Sequence, residues 1–180
     1  MLKRTECIDR RVYDSKVYEY DTWARFRGHP NLISIYSYWS EKASSPYKFK
    51  ALVGIFEEGV CGDILNSVVL NSVRPPSRLA LKYLCDIAKG LSTLHNSSIV
   101  HASVKPSSIY IQADNTAMLG EIGRAEAESV RLTTSSYSKM LIAEAMPHTL
   151  IYWPPELLIA PQTQKLTTQG DMWALGITMY

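Results

Sequence analysis

Reactive side chains cluster in the stretch 101–109, which reads His-Ala-Ser-Val-Lys-Pro-Ser-Ser-Ile. It carries one imidazole, His101, one ammonium group, Lys105, and hydroxyl groups that include Ser103 and Ser108. A general base that works near neutral pH is normally an imidazole or a carboxylate with a suitable pKa. The hydroxyl of Ser103 cannot act as such a base near neutral pH.

The elements before this stretch follow from the spacing of apolar residues. A short strand and a helix over 13–26 come first, and the helix ends at 28–30, because Gly terminates helices well and Pro cannot continue one. The segments 32–39 and 49–56 are β-branched and aromatic, which predicts two strands joined by a polar turn.

The sequence also predicts the elements around and after the stretch 101–109. Ser77 is a candidate N-cap for a helix whose apolar residues recur every three or four positions. Short apolar runs on both sides of 114–115 predict a hairpin. Residues 124–150 are rich in Ser, Thr, Ala and Met without clear periodicity, which predicts a long loop, and 171–180 are apolar nearly all round, which predicts a buried helix.

Composition narrows the class of protein. The 180 residues are 46% hydrophobic and 20% charged, as in a soluble globular protein. A net charge of only +2, spread along the chain, argues against a nucleic-acid or anionic-membrane surface. Cys7, Cys61 and Cys85 lie in no metal-binding spacing, and no signal peptide or membrane span is visible. A cytoplasmic, intracellular setting is therefore expected.

Three motifs resemble those of eukaryotic protein kinases of the Ser/Thr type. His101, Lys105 and Pro106 fit the catalytic-loop pattern H-R-D-L-K-P-x-N. The segment 149–156, Thr-Leu-Ile-Tyr-Trp-Pro-Pro-Glu, is similar to G-T-x-x-Y-x-A-P-E at the end of the activation segment. The segment 171–176, Asp-Met-Trp-Ala-Leu-Gly, resembles D-V-W-S-L-G on the central helix.

The resemblance implies an α+β, two-lobe protein kinase fold that is incomplete. It covers a small lobe from the third strand onward, expected over 1–58, and a large lobe up to the central helix, expected over 59–180. His101, Glu156 and Asp171 would be structural residues of this fold, with Asp171 holding the backbone of the catalytic loop. Thr149 would belong to the activation segment.

ATP is the ligand that the resemblance implies. Lys3 and Glu19 fall at the positions of the ion pair that orients the α- and β-phosphates. Gly54, Ile55 and Phe56 fall on the strand that leads to the adenine-binding backbone. Gly54 takes the gatekeeper position, which predicts an open space behind the nucleotide, and a glycine bulge in an ordinary strand is the alternative.

The positions that would do chemistry are substituted. Ser103 replaces the catalytic Asp, and Ala102 replaces the preceding Arg. Ser108 and Glu121 stand at the two metal-binding positions, where the family has Asn and Asp. Mg²⁺ demands near-octahedral oxygen geometry, so both substitutions weaken the metal site that the resemblance implies. Lys105 keeps its catalytic-loop position.

The leading hypothesis is a pseudokinase that acts as a scaffold or allosteric regulator in signalling, with other proteins as partners and with weak or no phosphotransfer. The alternative is an atypical, slow Ser/Thr protein kinase that transfers the γ-phosphate of ATP to protein hydroxyls and uses Glu121 for metal. A third possibility is a piece of a longer protein whose other domains define its biology.

Overall fold

Two small antiparallel sheets and two long helices form the frame of the protein. The computed structural model describes residues 2–56, 63–64, 75–120, 150–159 and 166–179. The mixture of helices and antiparallel strands agrees with the predicted α+β class.

The first sheet packs against a helix whose two ends are set by local sequence signals. The elements are β1 (Leu2–Cys7), α1 (Arg10–Arg25), β2 (Ile35–Glu41) and β3 (Lys50–Phe56), with strand order β1-β3-β2. Asp9 caps α1, since its carboxylate accepts a hydrogen bond of 3.0 Å from the backbone N–H of Val12. After α1, Gly28 adopts a φ of +82°, a conformation that glycine reaches without strain.

Strand β2 begins later than the sequence predicts. The expected start at Leu32 is wrong because this part of the chain bonds to the second sheet instead. The backbone N–H of Ile33 donates to the carbonyl of Leu119, and the N–H of Leu119 donates to the carbonyl of Asn31, both at 3.0 Å. The link between α1 and β2 is therefore fastened to a strand far away in sequence.

The second sheet has strand order β4-β5-β6 and is accompanied by the longest helix. The remaining elements are β4 (Asp63–Ile64), α2 (Ser77–Asn96), a 3₁₀ turn (Pro106–Ser108), β5 (Ile109–Ile111), β6 (Ala117–Leu119), α3 (Pro155–Ile159) and α4 (Thr168–Met179). The predicted hairpin around 114–115 is the β5–β6 pair. The predicted cap at Ser77 is wrong, because the N-cap residue is Pro76 and no side chain caps the helix.

One apolar core connects these elements. Its buried members include Trp23 of α1, Leu52 of β3, Leu91 of α2 and Leu119 of β6. Helix α4 contributes Ala174 and Leu175, but its Met172 and Trp173 side chains are exposed, so it is not buried all round as predicted. Among the described residues, no helix has the length and apolar character needed to cross a membrane.

Candidate functional site

A single carboxylate on α4 holds the backbone of the loop 101–105. The Asp171 side chain is almost fully buried. Its Oδ2 accepts a hydrogen bond from the N–H of His101, and its Oδ1 accepts one from the N–H of Ala102, both at 2.8 Å. The Nε2 atom of His95 lies 2.9 Å from Oδ2. All the oxygen atoms of this carboxylate are engaged, which makes Asp171 an anchor and leaves it unsuited to act as a base.

His101 is the second anchor of the loop. It is completely buried, and its Nδ1 accepts a hydrogen bond of 3.2 Å from the N–H of Ser103. Nδ1 is therefore unprotonated, and Nε2–H donates to the carbonyl of Gly120 at 3.0 Å. The imidazole ties the loop to the end of β6. Since both ring nitrogens are bonded, His101 has no free nitrogen with which to take a proton from a substrate.

Ala102 lies between these anchors in a conformation that is uncommon for a residue with a Cβ. Its φ is +61°, in the left-handed region. Its methyl group packs against the small apolar cluster of Trp153 and Leu157. The position at which the kinase motif has an arginine thus makes an apolar contact with Trp153, which precedes α3, and with Leu157, which lies within α3.

Ser103 lies at the predicted base position and is 8% exposed. It lines a small cavity together with Lys105, Trp153 and Thr167. Lys105 is half-buried beside it. The loop therefore places a hydroxyl and an ammonium group at the cavity, but neither is a carboxylate. Their predicted roles stay predictions.

Ser108 does not fit the metal role that the resemblance implies. It is fully buried, and its Oγ has no hydrogen-bond partner among the described residues. Its N–H donates to the carbonyl of Lys105, and its own carbonyl accepts from the N–H of Gly120, both at 2.9 Å. Mg²⁺ needs several accessible oxygen ligands, and an enclosed neutral hydroxyl is a poor one.

The other predicted metal residue, Glu121, lies outside the described residues, as does Thr149 of the predicted activation segment. Within the described parts of the chain, no three His, Cys, Asp or Glu side chains are grouped so as to hold a metal ion. Glu156 is described and lies exposed in the first turn of α3. Its structural role stays a prediction.

The predicted nucleotide residues lie on α1 and the first sheet. Lys3 of β1 pairs in register with Gly54 of β3. Glu19 of α1 is 4% exposed, and its carboxylate accepts a hydrogen bond of 2.6 Å from the ammonium of Lys16. The expected ion pair between Lys3 and Glu19 stays a prediction. Lys16 was missed from the sequence, although a lysine three residues before a glutamate is a known helical pair.

The space behind Gly54 is filled, so the expectation of an open space is wrong. A Cβ atom added there would lie 2.8 Å from Cε2 of Tyr20 and 3.1 Å from side-chain atoms of Ile35 and Phe56. Gly54 also pairs regularly with both neighbouring strands, and the irregularity in β2 lies at 35–37. Neither the open pocket nor a bulge at Gly54 describes this position.

Ile55 and Phe56 differ in their surroundings. The side chain of Phe56 is buried in the core, while Ile55 is 36% exposed on the outer face. Adenine contacts predicted for this segment would come from its backbone, and the side-chain orientations do not test them. Those contacts stay a prediction.

The buried carboxylate of Asp171 holds the loop 101–105, and Lys3 and Glu19 lie on β1 and α1. The family model described as "Protein kinase domain" matches residues 3–180, and the chain belongs to that family. The predicted kinase-like fold is confirmed.

Serine/threonine kinases are among its relatives. The chain is 24% identical to an Aurora kinase of Schizosaccharomyces pombe over 180 residues, which are 99% of this chain and 44% of that protein. It is 28% identical to an Aurora kinase of Debaryomyces hansenii over 152 residues, 84% of this chain and 32% of that protein. It is 30% identical to the serine/threonine-protein kinase TOS3 of Saccharomyces cerevisiae over 101 residues, 55% of this chain and 18% of that protein. The chain thus spans less than half the length of these relatives.

Proposed function

We propose that this protein kinase domain is a pseudokinase of the cytoplasm, which acts in signalling by binding other proteins and transfers phosphate weakly or not at all. One observation carries the proposal. Asp171 fixes the backbone of the catalytic loop through two hydrogen bonds of 2.8 Å, yet the loop presents Ser103 where a carboxylate base is needed. The framework of the loop is present without its proton acceptor.

The size of the defect supports this proposal. Help from a general base is worth about 10² to 10⁴ in rate. The groups around Ser103 do not replace it, because His101 is bonded at both nitrogens and Asp171 at both oxygens. The buried Ser108 weakens the neutralisation of phosphate charge as well. Defects in groups that act as a unit seldom leave useful turnover.

ATP is the small molecule that we propose to bind beside Lys3 and Glu19. An ammonium group on β1 and a buried carboxylate on the adjacent helix are the two charges that orient nucleotide phosphates in this family. When bound, ATP would supply a polyanion for Lys3 to contact. In this proposal it serves as a structural ligand.

A phosphate-transfer assay on the full chain tests the proposal. The chain is incubated with ATP labelled at the γ-phosphate, Mg²⁺ and a mixture of Ser- and Thr-containing peptides. We expect no incorporation above that of a heat-denatured sample. Robust, Mg²⁺-dependent transfer that disappears in Lys3→Ala and persists in Lys89→Ala, a control on an exposed lysine, would overturn the proposal and favour an active Ser/Thr kinase.

A further inference from the structure

The turn between β2 and β3 carries a short motif that the proposed function does not use. Residues 45–48 read Ser-Pro-Tyr-Lys, and Ser45 is the only Ser or Thr in the 180 residues that directly precedes a Pro. Pro has a fixed φ and no backbone N–H, so an enzyme pocket shaped for it distinguishes Ser45 from the other hydroxyls of the chain. Lys48 adds a positive charge three residues after Ser45. A proline-directed protein kinase with an acidic subsite for this cation would recognise the motif.

The structure places this motif at the exposed end of the first sheet. The side chain of Tyr47 is 90% exposed, Pro46 is exposed and Ser45 is partly exposed. The N–H of Lys48 donates to the carbonyl of Ser45 at 3.1 Å, and the N–H of Tyr47 donates to its Oγ at 3.3 Å. A surface turn shaped by such local bonds opens without unfolding the core, which makes the hydroxyl of Ser45 accessible to an enzyme.

One carboxylate on the neighbouring strand holds both sides of this turn. Glu6 of β1 accepts a hydrogen bond of 3.1 Å from the N–H of Ser44, and the Nζ atom of Lys48 lies 3.1 Å from its other oxygen. Arg4 bonds to the same carboxylate. Hydrogen bonds from these three partners, above all from Ser44, lower the pKa of Glu6, so it is ionised at neutral pH. Glu6 therefore holds the cation that the modifying enzyme would have to recognise.

We propose that Ser45 is phosphorylated by a proline-directed Ser/Thr kinase that also recognises Lys48, and that Glu6 restrains this reaction. In the reaction, Oγ of Ser45 forms a bond to the γ-phosphorus of an ATP molecule bound to that kinase. The bond from this phosphorus to the oxygen of the leaving ADP breaks, and the hydroxyl proton passes to the carboxylate base of that kinase. The inference does not depend on ATP binding by the chain itself.

The phosphate would change the charges around the turn. It carries about −1.5 to −2 at pH 7 and lies between Ser44 and Lys48, the two residues of the turn that Glu6 holds. It attracts the ammonium of Lys48 and repels the carboxylate of Glu6. Both effects act against the bonds between β1 and the turn, so phosphorylation should loosen the turn from the strand.

A phosphorylation assay on the full chain tests the proposal. The chain is incubated with ATP, Mg²⁺ and an active cyclin-dependent kinase with its cyclin, which is a proline-directed enzyme, and the phosphate is located by mass spectrometry. We expect a phosphate on Ser45. Ser45→Ala and Pro46→Ala should lose it, whereas Ser44→Ala, at the adjacent hydroxyl that no Pro follows, should keep it. A synthetic peptide of residues 42–50 and a reaction without the added kinase are the controls.

The outcomes separate this inference from the proposed function. Phosphate on other residues only, or a modified peptide beside an unmodified chain, would overturn the inference and leave the proposed pseudokinase intact. If the peptide is not modified either, the inference fails because the motif is not recognised. Phosphate on Ser45 in the reaction without the added kinase would overturn both, since the chain itself would then be the enzyme.

The role of Glu6 gives a second measurement. Glu6→Gln keeps the shape of the side chain and weakens its bond to Lys48, so the initial rate of Ser45 phosphorylation should rise about three-fold or more. Asp14→Asn changes an exposed carboxylate of α1 that pairs with Arg10, and it should leave the rate unchanged. An equal rate in Glu6→Gln and the wild type would show that Glu6 does not restrain the reaction and would overturn that part of the proposal.

Discussion

The catalytic loop and the contact between α1 and β3 are held in place by different physical means. Hydrogen bonds to the buried side chains of Asp171 and His101 hold the loop in place, and each of these bonds has a defined partner. The α1–β3 contact is made by rings, with Tyr20 packed into the space left by Gly54. Losing the acceptor of a buried hydrogen bond leaves its donor unsatisfied, whereas adding atoms to a packed contact costs free energy according to how far the neighbouring atoms must move.

This difference separates the two kinds of substitution in the molecule. In the loop, the changes at Ser103 and Ser108 alter side chains while the backbone bonds that fix the loop remain. In the α1–β3 contact, a missing side chain on the strand is compensated by a large one on the helix. The hydrogen bonds that fix the loop thus do not depend on the side chains of Ser103 and Ser108, whereas the packing of α1 on β3 depends on the absence of a side chain at Gly54.

The largest effect is expected at Asp171. Asp171→Ala leaves the N–H groups of His101 and Ala102 buried without their acceptor, at about 1–3 kcal/mol for each. We expect the free energy of unfolding in a urea titration to fall by about 3–5 kcal/mol. Asp14→Ala removes an exposed carboxylate that only pairs with Arg10 and should change it by less than about 0.5 kcal/mol. Similar losses in both variants would mean that the loop is held by something other than this carboxylate.

The next largest changes in stability are expected at two glycines in helices, because only one of the two is enclosed by neighbouring atoms. A Cβ atom at Gly90 of α2 would lie 2.7 Å from the carbonyl oxygen of Asn31, in the segment that links α1 to β2. Gly90→Ala should therefore destabilise the chain by about 1–3 kcal/mol, because backbone must move. At Gly176 of α4 nothing lies within 4 Å, so Gly176→Ala should stabilise the chain by about 0.5–1 kcal/mol through helix propensity.

The midpoints of urea unfolding curves, measured together for the wild type and the two variants, would show that the two stability changes have opposite signs. A destabilising Gly176→Ala would indicate that the exposed face of α4 is covered in solution. A neutral Gly90→Ala would show that α2 and the 28–34 segment can separate without cost. That outcome would weaken the view that packing in this part of the protein is tight.

The sequence predicts the hydrogen-bonded region better than the packed one. Motif spacing placed Asp171 beneath the loop, because the position of a single acceptor relative to a loop is part of the family pattern. It did not reveal the ring of Tyr20 behind Gly54, since that contact depends on how closely a helix approaches a sheet. The late start of β2 could not be predicted either, because Ile33 bonds to Leu119, which is remote in sequence.

Ser108 combines hydrogen-bonding chemistry with tight packing, because its polar side chain is enclosed by its neighbours. Its Oγ is buried without a hydrogen bond among the described residues, and an unsatisfied buried hydroxyl costs about 1–3 kcal/mol. Ser108→Ala should therefore raise the free energy of unfolding by up to about 1 kcal/mol, part of the gain being offset by the lost volume. Ser107→Ala, at the half-buried neighbour in the same turn, is the matched control and should be neutral. A destabilised Ser108→Ala would mean that this hydroxyl has a partner in solution, and a role for it in ligand binding would then regain support.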